Sequence, residues 1–138
     1  MSGNRAFIDT NVLAYLYSTE EPEKKDICID ALGKHTRIIS TQTLNELSNF
    51  LFKKQGLTSA QVRVYIQNVE QFAEVLHIDI AIIESAITLK GRYGYSYYDS
   101  LMIASALDSD CDILISEDMS DGQLIEERLR IINPFSKS

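Results

Sequence analysis

Four of the chain's carboxylates, Asp9, Glu46, Asp99 and Asp118, have the type and placement to do chemistry, and Asp121 is a fifth candidate beside Asp118. Asp9 ends a short apolar run, Ala6 to Asp9. Glu46 lies on a helix after a second run, Arg37 to Ser40, and Asp118 comes two residues after a third, Asp112 to Ser116. Asp99 sits in the first turn of a segment that is apolar nearly all round. In open α/β sheets the functional crevice forms beyond the carboxyl ends of the strands, where loops converge, so these positions are expected to share one crevice. Each acid also has a local reading. Asp9 could close an Asx turn, Glu46 fits a capping box Thr43-x-x-Glu46, and Asp99 fits Ser96-x-x-Asp99. Loop acids such as Asp118 and Asp121 are ordinarily solvated.

Gathering them has an electrostatic consequence. Two carboxylates about 4 Å apart repel by about 4 kcal/mol at an effective dielectric near 20. Several such pairs would cancel much of the roughly 5 to 15 kcal/mol that holds a domain together. A chain that collects them must bind a cation or keep some of them protonated. No Cys or His accompanies the set, and all-oxygen donors favour Mg²⁺ or Mn²⁺ over zinc. Magnesium binds through one or two carboxylates plus a substrate phosphate. The chemistry indicated is therefore phosphate-ester hydrolysis, in which the ion activates water and polarises the phosphoryl group.

The elements that would position these acids alternate. Strands are expected at Ala6–Asp9, Arg37–Ser40, Ala73–Ile78, Asp112–Ser116 and Leu129–Ile132. Between them, helical spacing appears after Asp9 (Val12, Leu13, Leu16, Tyr17), from Glu21 to about Gly33, over Thr41–Lys54 and over Thr58–Phe72. Asp79 is a candidate N-cap for a helix to about Gly91 with Ile80, Ile83 and Ile87 on its buried side. Ser96–Leu107 reads as a helix buried within a layer. Short apolar strands alternating with helices predict an α/β fold, a three-layer α/β/α sandwich around a mostly parallel sheet of about five strands, as one domain over residues 1–138.

Composition bounds the partners. The 138 residues carry 13 Lys+Arg and 20 Asp+Glu, a net charge of −7. The excess is local: before residue 93 there are 10 basic and 11 acidic side chains, after it 3 and 9. Bulk phosphate neutralisation by a basic surface is excluded, so a nucleic-acid partner would need positive charge from elsewhere, such as a metal. The longest stretch without a charge is the ten residues Thr10–Thr19, too short for a membrane span. The N-terminal Met-Ser-Gly-Asn-Arg lacks the apolar core of a signal peptide. Cys28 and Cys111 are distant from each other and belong to no metal-type pair, which suits reduced core residues in a cytoplasmic protein. Lys53, Lys54 and Lys90/Arg92 are the densest basic spots near predicted helix ends and candidates for contacting substrate phosphates. Tyr93, Tyr95, Tyr97 and Tyr98 could stack on bases or simply pack. His35 and His77 have no partner in sequence that would make either a general base on a ribose hydroxyl.

The ordered set Phe7-Ile8-Asp9-Thr10-Asn11, Ser40-Thr41 followed by Glu46, Tyr97-Tyr98-Asp99-Ser100-Leu101-Met102-Ile103-Ala104-Ser105-Ala106, and Ser116-Glu117-Asp118 resembles the PIN-domain nucleases, most of all the small bacterial VapC-type toxins. The resemblance runs from about Arg5 to Phe135. It implies an acidic quartet of Asp9, Glu46, Asp99 and Asp118 holding Mg²⁺ or Mn²⁺, with Asn11 and Ser116 supporting it; Asp121 is an extra acid in the loop that often carries the fourth ligand. It further implies an endoribonuclease leaving 5′-phosphate and 3′-hydroxyl ends, a homodimer, and a small antitoxin that blocks the pocket. Two other functions fit parts of the pattern. A haloacid-dehalogenase-like phosphatase also begins with an Asp after its first strand but wants a second Asp where Asn11 stands. A non-catalytic metal- or RNA-binding module would keep the fold without the reaction.

Overall fold

In the computed structural model, which describes residues 4–136, alternating strands and helices build one six-stranded sheet. Residues 1–3 of the N-terminal segment considered above, and the last two residues, lie outside that range. The strands are β1 (Arg5–Ile8), β2 (Thr36–Ser40), β3 (Glu74–Leu76), β4 (Ile113–Ile115), β5 (Leu124–Ile125) and β6 (Leu129–Ile132), in the order β3-β2-β1-β4-β6-β5. All pairs are parallel except β5–β6. β5 is the strand that the sequence reading lacked; at two residues it carries no periodicity to detect.

Helices cover both faces: α1 (Thr10–Ala14, continued by a 3₁₀ turn at Tyr15–Tyr17), α2 (Pro22–Gly33), α3 (Thr41–Lys53), α4 (Ser59–Phe72), α5 (Ile80–Tyr93) and α6 (Tyr97–Asp108). Successive strand residues alternate between the two cores, as the pleat requires. Ala6, Ile8, Ile39 and Ile115 pack with Val12, Leu13, Leu47, Leu51, Val62 and Val69 from α1, α3 and α4. Phe7, Ile38, Leu114 and Ile131 pack with Ile82, Ala86, Leu101, Ile103 and Ala104 from α5 and α6. The three-layer sandwich follows from these two faces.

Local signals set the helix ends. Ser40 caps α3, its hydroxyl accepting from Thr43 N while Thr43 Oγ1 accepts from Ser40 N. The capping box is therefore Ser40/Thr43 rather than Thr43/Glu46, which leaves the Glu46 carboxylate for other work. Thr58 and Gln61 form the same reciprocal pair at α4. Gly94 ends α5 at φ 77°, a left-handed position that a side chain would strain.

One expectation is overturned on α5. Its buried face is Ile82, Ala86 and Leu89, whereas Ile80, Ile83 and Ile87 are 74, 38 and 61 % exposed. Both triplets have helical spacing; the small Ala86 lets α6 approach closely, and this selects the inner face. Among the described residues no helix is long and apolar enough to cross a membrane.

Candidate active site

Asp9 is the first residue beyond β1. Its backbone N–H still donates to Ile115 O (3.0 Å), so its Cα is held at the mouth between the two central strands. It caps α1: Oδ1 accepts from Asn11 N (3.3 Å), and Oδ2 accepts from Ser116 Oγ (2.8 Å), itself fully buried. The Asx-type role is thus real but leaves the carboxylate facing the cavity. At 8 % exposure Asp9 is buried, and burial pushes its carboxyl up to about 6. The bonds from Ser116 and Asn11 oppose that rise, and repulsion from Asp118 and Asp99 adds to it.

The two residues after Asp9 hold two of the other acids. Thr10 Oγ1 donates to Glu46 Oε1 (2.6 Å), and Asn11 Nδ2 donates to Asp118 Oδ2 (2.8 Å). Asp99 occupies the first turn of α6, where Ser96 Oγ accepts from its backbone N–H (3.1 Å). That cap uses the main chain only; among the described residues the Asp99 carboxylate accepts no hydrogen bond. All four acids line one cavity of about 220 Å³, with Phe7, Phe50, Leu101 and Met102 as apolar wall and no Lys or Arg in the lining.

A sequence model of the PIN domain matches residues 6–120. This chain belongs to the PIN domain family. Its fold is shared with a toxin–antitoxin complex from Klebsiella pneumoniae (TM-score 0.72, 21 % identity, 96 % of this chain and 99 % of that one). It is shared as well with Mycobacterium tuberculosis VapC20, described as a sarcin–ricin loop cleaving toxin (0.65, 17 %, 79 and 86 %), and with FitAcB from Neisseria gonorrhoeae (0.66, 18 %, 94 and 98 %). By sequence, the chain has no significant match among characterised proteins.

Within this PIN domain the remaining candidates divide. Ser116 meets Asp9 and Asn11 meets Asp118, as above. Asp121 points elsewhere: its Oδ1 accepts from Asn133 N (2.8 Å), closing the loop, and it does not line the cavity. Lys53 and Lys54 are exposed at the end of α3, beyond Phe50, and outside the lining. Arg92 is paired with Glu126 at the β5–β6 turn and lines a separate cavity between α5 and α6. The structure therefore brings none of these three basic residues into the acidic cavity. Neither His35 nor His77 lines it.

The tyrosines separate too. Tyr93 OH donates to Glu126 Oε2 (2.7 Å), and Tyr95 OH bonds Gln123, so both serve packing. Tyr98, 60 % exposed, is at the cavity rim with its ring edge-on to Tyr97. Thr10 is the site residue that sequence reasoning passed over; its hydroxyl beside Asp9 was the available signal.

The donors fit a hard divalent ion in kind. They are all oxygen, uncompensated by any cation in the lining, and Asp9 is destabilised as an anion by burial and by two neighbouring acids. Among the described residues, no three His, Cys, Asp or Glu side chains are grouped closely enough to hold an ion as they stand. Glu46 rests on Thr10 and Asp118 on Asn11.

Proposed function

We propose that this PIN domain is a divalent-metal-dependent endoribonuclease and the toxin of a toxin–antitoxin pair. The observation that carries the reading is the cavity itself: four carboxylates from four separated segments, with no cation among the lining residues. Asp9, Glu46, Asp99 and Asp118 would hold Mg²⁺ or Mn²⁺. Such an ion, when bound, supplies an activated water and positive charge for the phosphate oxygens. The chain's own residues do the rest. Ser116 and the Asn11 backbone keep Asp9 aimed inward, Thr10 and Asn11 orient Glu46 and Asp118, and the exposed ring of Tyr98 offers a stacking surface for an unpaired base. One structural neighbour is described as a sarcin–ricin loop cleaving toxin and others come from toxin–antitoxin complexes, which supports RNA as substrate.

The antitoxin would meet an acidic approach. A groove lined by Asn11, Tyr15, Glu20, Glu21, Glu117 and Asp118 adjoins the cavity, sharing Asn11, Ala14, Phe50 and Asp118 with it; Lys24 already pairs with Glu21 and Glu117, so Glu20 and Asp118 are the acids left to meet a segment bearing basic side chains. A second copy of the chain would dock on α5. Ile80, Ile83 and Ile87 are the one case, among the described residues, of three exposed large aliphatics in register on a single helix. Asp79 and Lys90 lie roughly 20° apart around that helix. Since a twofold antiparallel pair brings like flanks together, each Lys90 would face the other copy's Asp79. The free, buried cysteines accord with a cytoplasmic setting.

The phosphatase alternative loses its footing at Asn11, whose amide is engaged with Asp118 where that chemistry requires a second carboxyl. The test is product analysis: incubation of RNA with Mn²⁺ should give 5′-phosphate and 3′-hydroxyl ends. A 2′,3′-cyclic phosphate, or undiminished cleavage by an Asp9→Asn/Asp99→Asn protein, would overturn the proposal.

A further inference from the structure

Asp118 is exposed, as Glu46 is, and stands on the irregular loop between β4 and β5. A carboxylate so placed has one side-chain tether, from Asn11, and its position depends on what holds the loop's main chain. The adjacent Glu117 holds it, by facing away from the cavity. Both its oxygens are taken: Oε1 accepts from Tyr15 OH (2.6 Å), and Oε2 accepts from Lys24 Nζ. Lys24 Nζ also donates to Tyr15 OH (3.2 Å) and sits 5.1 Å from the centroids of both the Tyr15 and Phe135 rings. Those rings meet edge-on at 5.4 Å. Asn133 joins the same loop to the C-terminal segment, its Nδ2 donating to Glu117 O (3.4 Å) and its N to Asp121 Oδ1.

This is not an ordinary surface pair. Lys24 and Glu117 side chains are 33 and 24 % exposed, the least exposed couple among the ion pairs of the described residues, and the ammonium, which also lies 3.6 Å from Glu21 Oε2, sits beside two aromatic rings. Exposed pairs hold little geometry, whereas charge-assisted bonds packed against rings fix it. Burial works against the Glu117 anion, yet the bonds from Lys24 and Tyr15 keep its carboxyl below the ordinary range. The cluster thus ties the first turn of α2, the 3₁₀ turn and the C-terminal segment to the residue preceding Asp118. None of Lys24, Tyr15 or Glu117 lines the acidic cavity.

We infer that Lys24, acting through Glu117, is a positioning residue for Asp118, so that the cavity's affinity for a divalent ion depends on an ion pair outside it. The inference rests on the reading of Asp118 as a metal ligand. Loss of Lys24 leaves the Glu117 carboxylate with the Tyr15 hydroxyl alone, loosens its grip on the residue before Asp118, and makes the position of Asp118 depend more on the Asn11 bond.

The test titrates the full-length protein with Mn²⁺ alone by calorimetry, without RNA. Lys24→Met, which keeps the stem and removes the charge, should weaken Mn²⁺ binding by about ten- to a hundredfold, the range for disturbed outer supports of a metal site. Lys24→Arg should restore most of it. Tyr15→Phe, which keeps the ring and deletes one bond, should weaken it less and covers the case in which Lys24→Met does not fold. Lys25→Met, whose side chain makes no ion pair among the described residues, should leave it unchanged. A merely structural pair would lower the melting temperature of Lys24→Met while leaving its Mn²⁺ affinity native. That result overturns the positioning role and leaves the metal site standing. Absence of Mn²⁺ binding by the native protein overturns both.

Discussion

The Asn11 side-chain amide donates to Asp118 Oδ2 at 2.8 Å, across 107 residues of chain. With its neighbours it makes the triplet Asp9-Thr10-Asn11 an organising centre: the first residue supplies a carboxylate, the second holds Glu46, and the third holds Asp118. Asp99 alone is left without a hydrogen-bonded tether among the described residues. Replacing Asn11 by Ala should therefore weaken Mn²⁺ binding and RNA cleavage together by about ten- to a hundredfold. Calorimetric titration alongside a cleavage assay measures both, and Thr10→Val should act in the same direction through Glu46. Loss of cleavage with native ion affinity would contradict this role.

Asp9 gives a pH signature. Its carboxyl is raised from 3.8 to about 6 by burial first, with repulsion from Asp118 and Asp99 adding to it. The folded state thus holds the proton more tightly than the unfolded chain. The stabilisation this provides is complete below the unfolded value and is lost as pH rises through about 6. Asn cannot ionise, so metal-free Asp9→Asn should melt a few degrees above the native protein at pH 7.5, with the gap closing towards pH 4. Added Mn²⁺ should raise the native melting temperature and leave the variant's unmoved. Scanning calorimetry at several pH values, with and without the ion, checks each part; a gap independent of pH would refute the assignment.

Tyr98 presents the exposed ring at the cavity rim. Stacking of a base on an aromatic ring contributes about 1 to 3 kcal/mol, so Tyr98→Ala should weaken RNA binding by roughly five- to a hundredfold. Fluorescence anisotropy in an Asp9→Asn background, where cleavage is absent, isolates binding. Tyr93→Phe, which loses only the bonds between its hydroxyl and Glu126 at the β5–β6 turn, should leave RNA affinity unchanged.

The exposed isoleucines of α5 predict self-association. Ile87→Glu should convert the protein to a monomer in sedimentation equilibrium with little change in the monomer's own stability, since Ile87 is 61 % exposed. Lys90→Glu should weaken the pair in a salt-dependent way. A native protein that sediments as a monomer would remove this surface from the account.

Much of the candidate site is legible in the sequence because parallel α/β order dictates where loops converge. Asp9, Glu46 and Asp118, which line one cavity, can be placed there from strand ends, and Asp99 from its position on a helix with no polar face. What sequence could not supply were contacts joining distant segments. Thr10 reaches Glu46 across 36 residues, and Lys24 reaches Glu117 across 93. Neither follows from spacing. The inner face of α5 was misread because two apolar stripes share its period, and only the close approach of α6 chooses between them. Arg92 looked available as a basic residue near a helix end, but its partner Glu126 lies on the β5–β6 turn, beside a strand too short to register in the sequence. Asp121 and Asp118 look alike in sequence; the bond from Asn133 to one and from Asn11 to the other separates them.

The most direct measurement is a map of cleavage sites on total RNA treated with the native protein in Mn²⁺, repeated after chelation and with Asp9→Asn in its place. Discrete sites bearing 5′-phosphate ends, absent after chelation and absent with Asp9→Asn, are the predicted result. Sites that persist in either control would contradict an acidic, metal-holding cavity as the seat of the reaction.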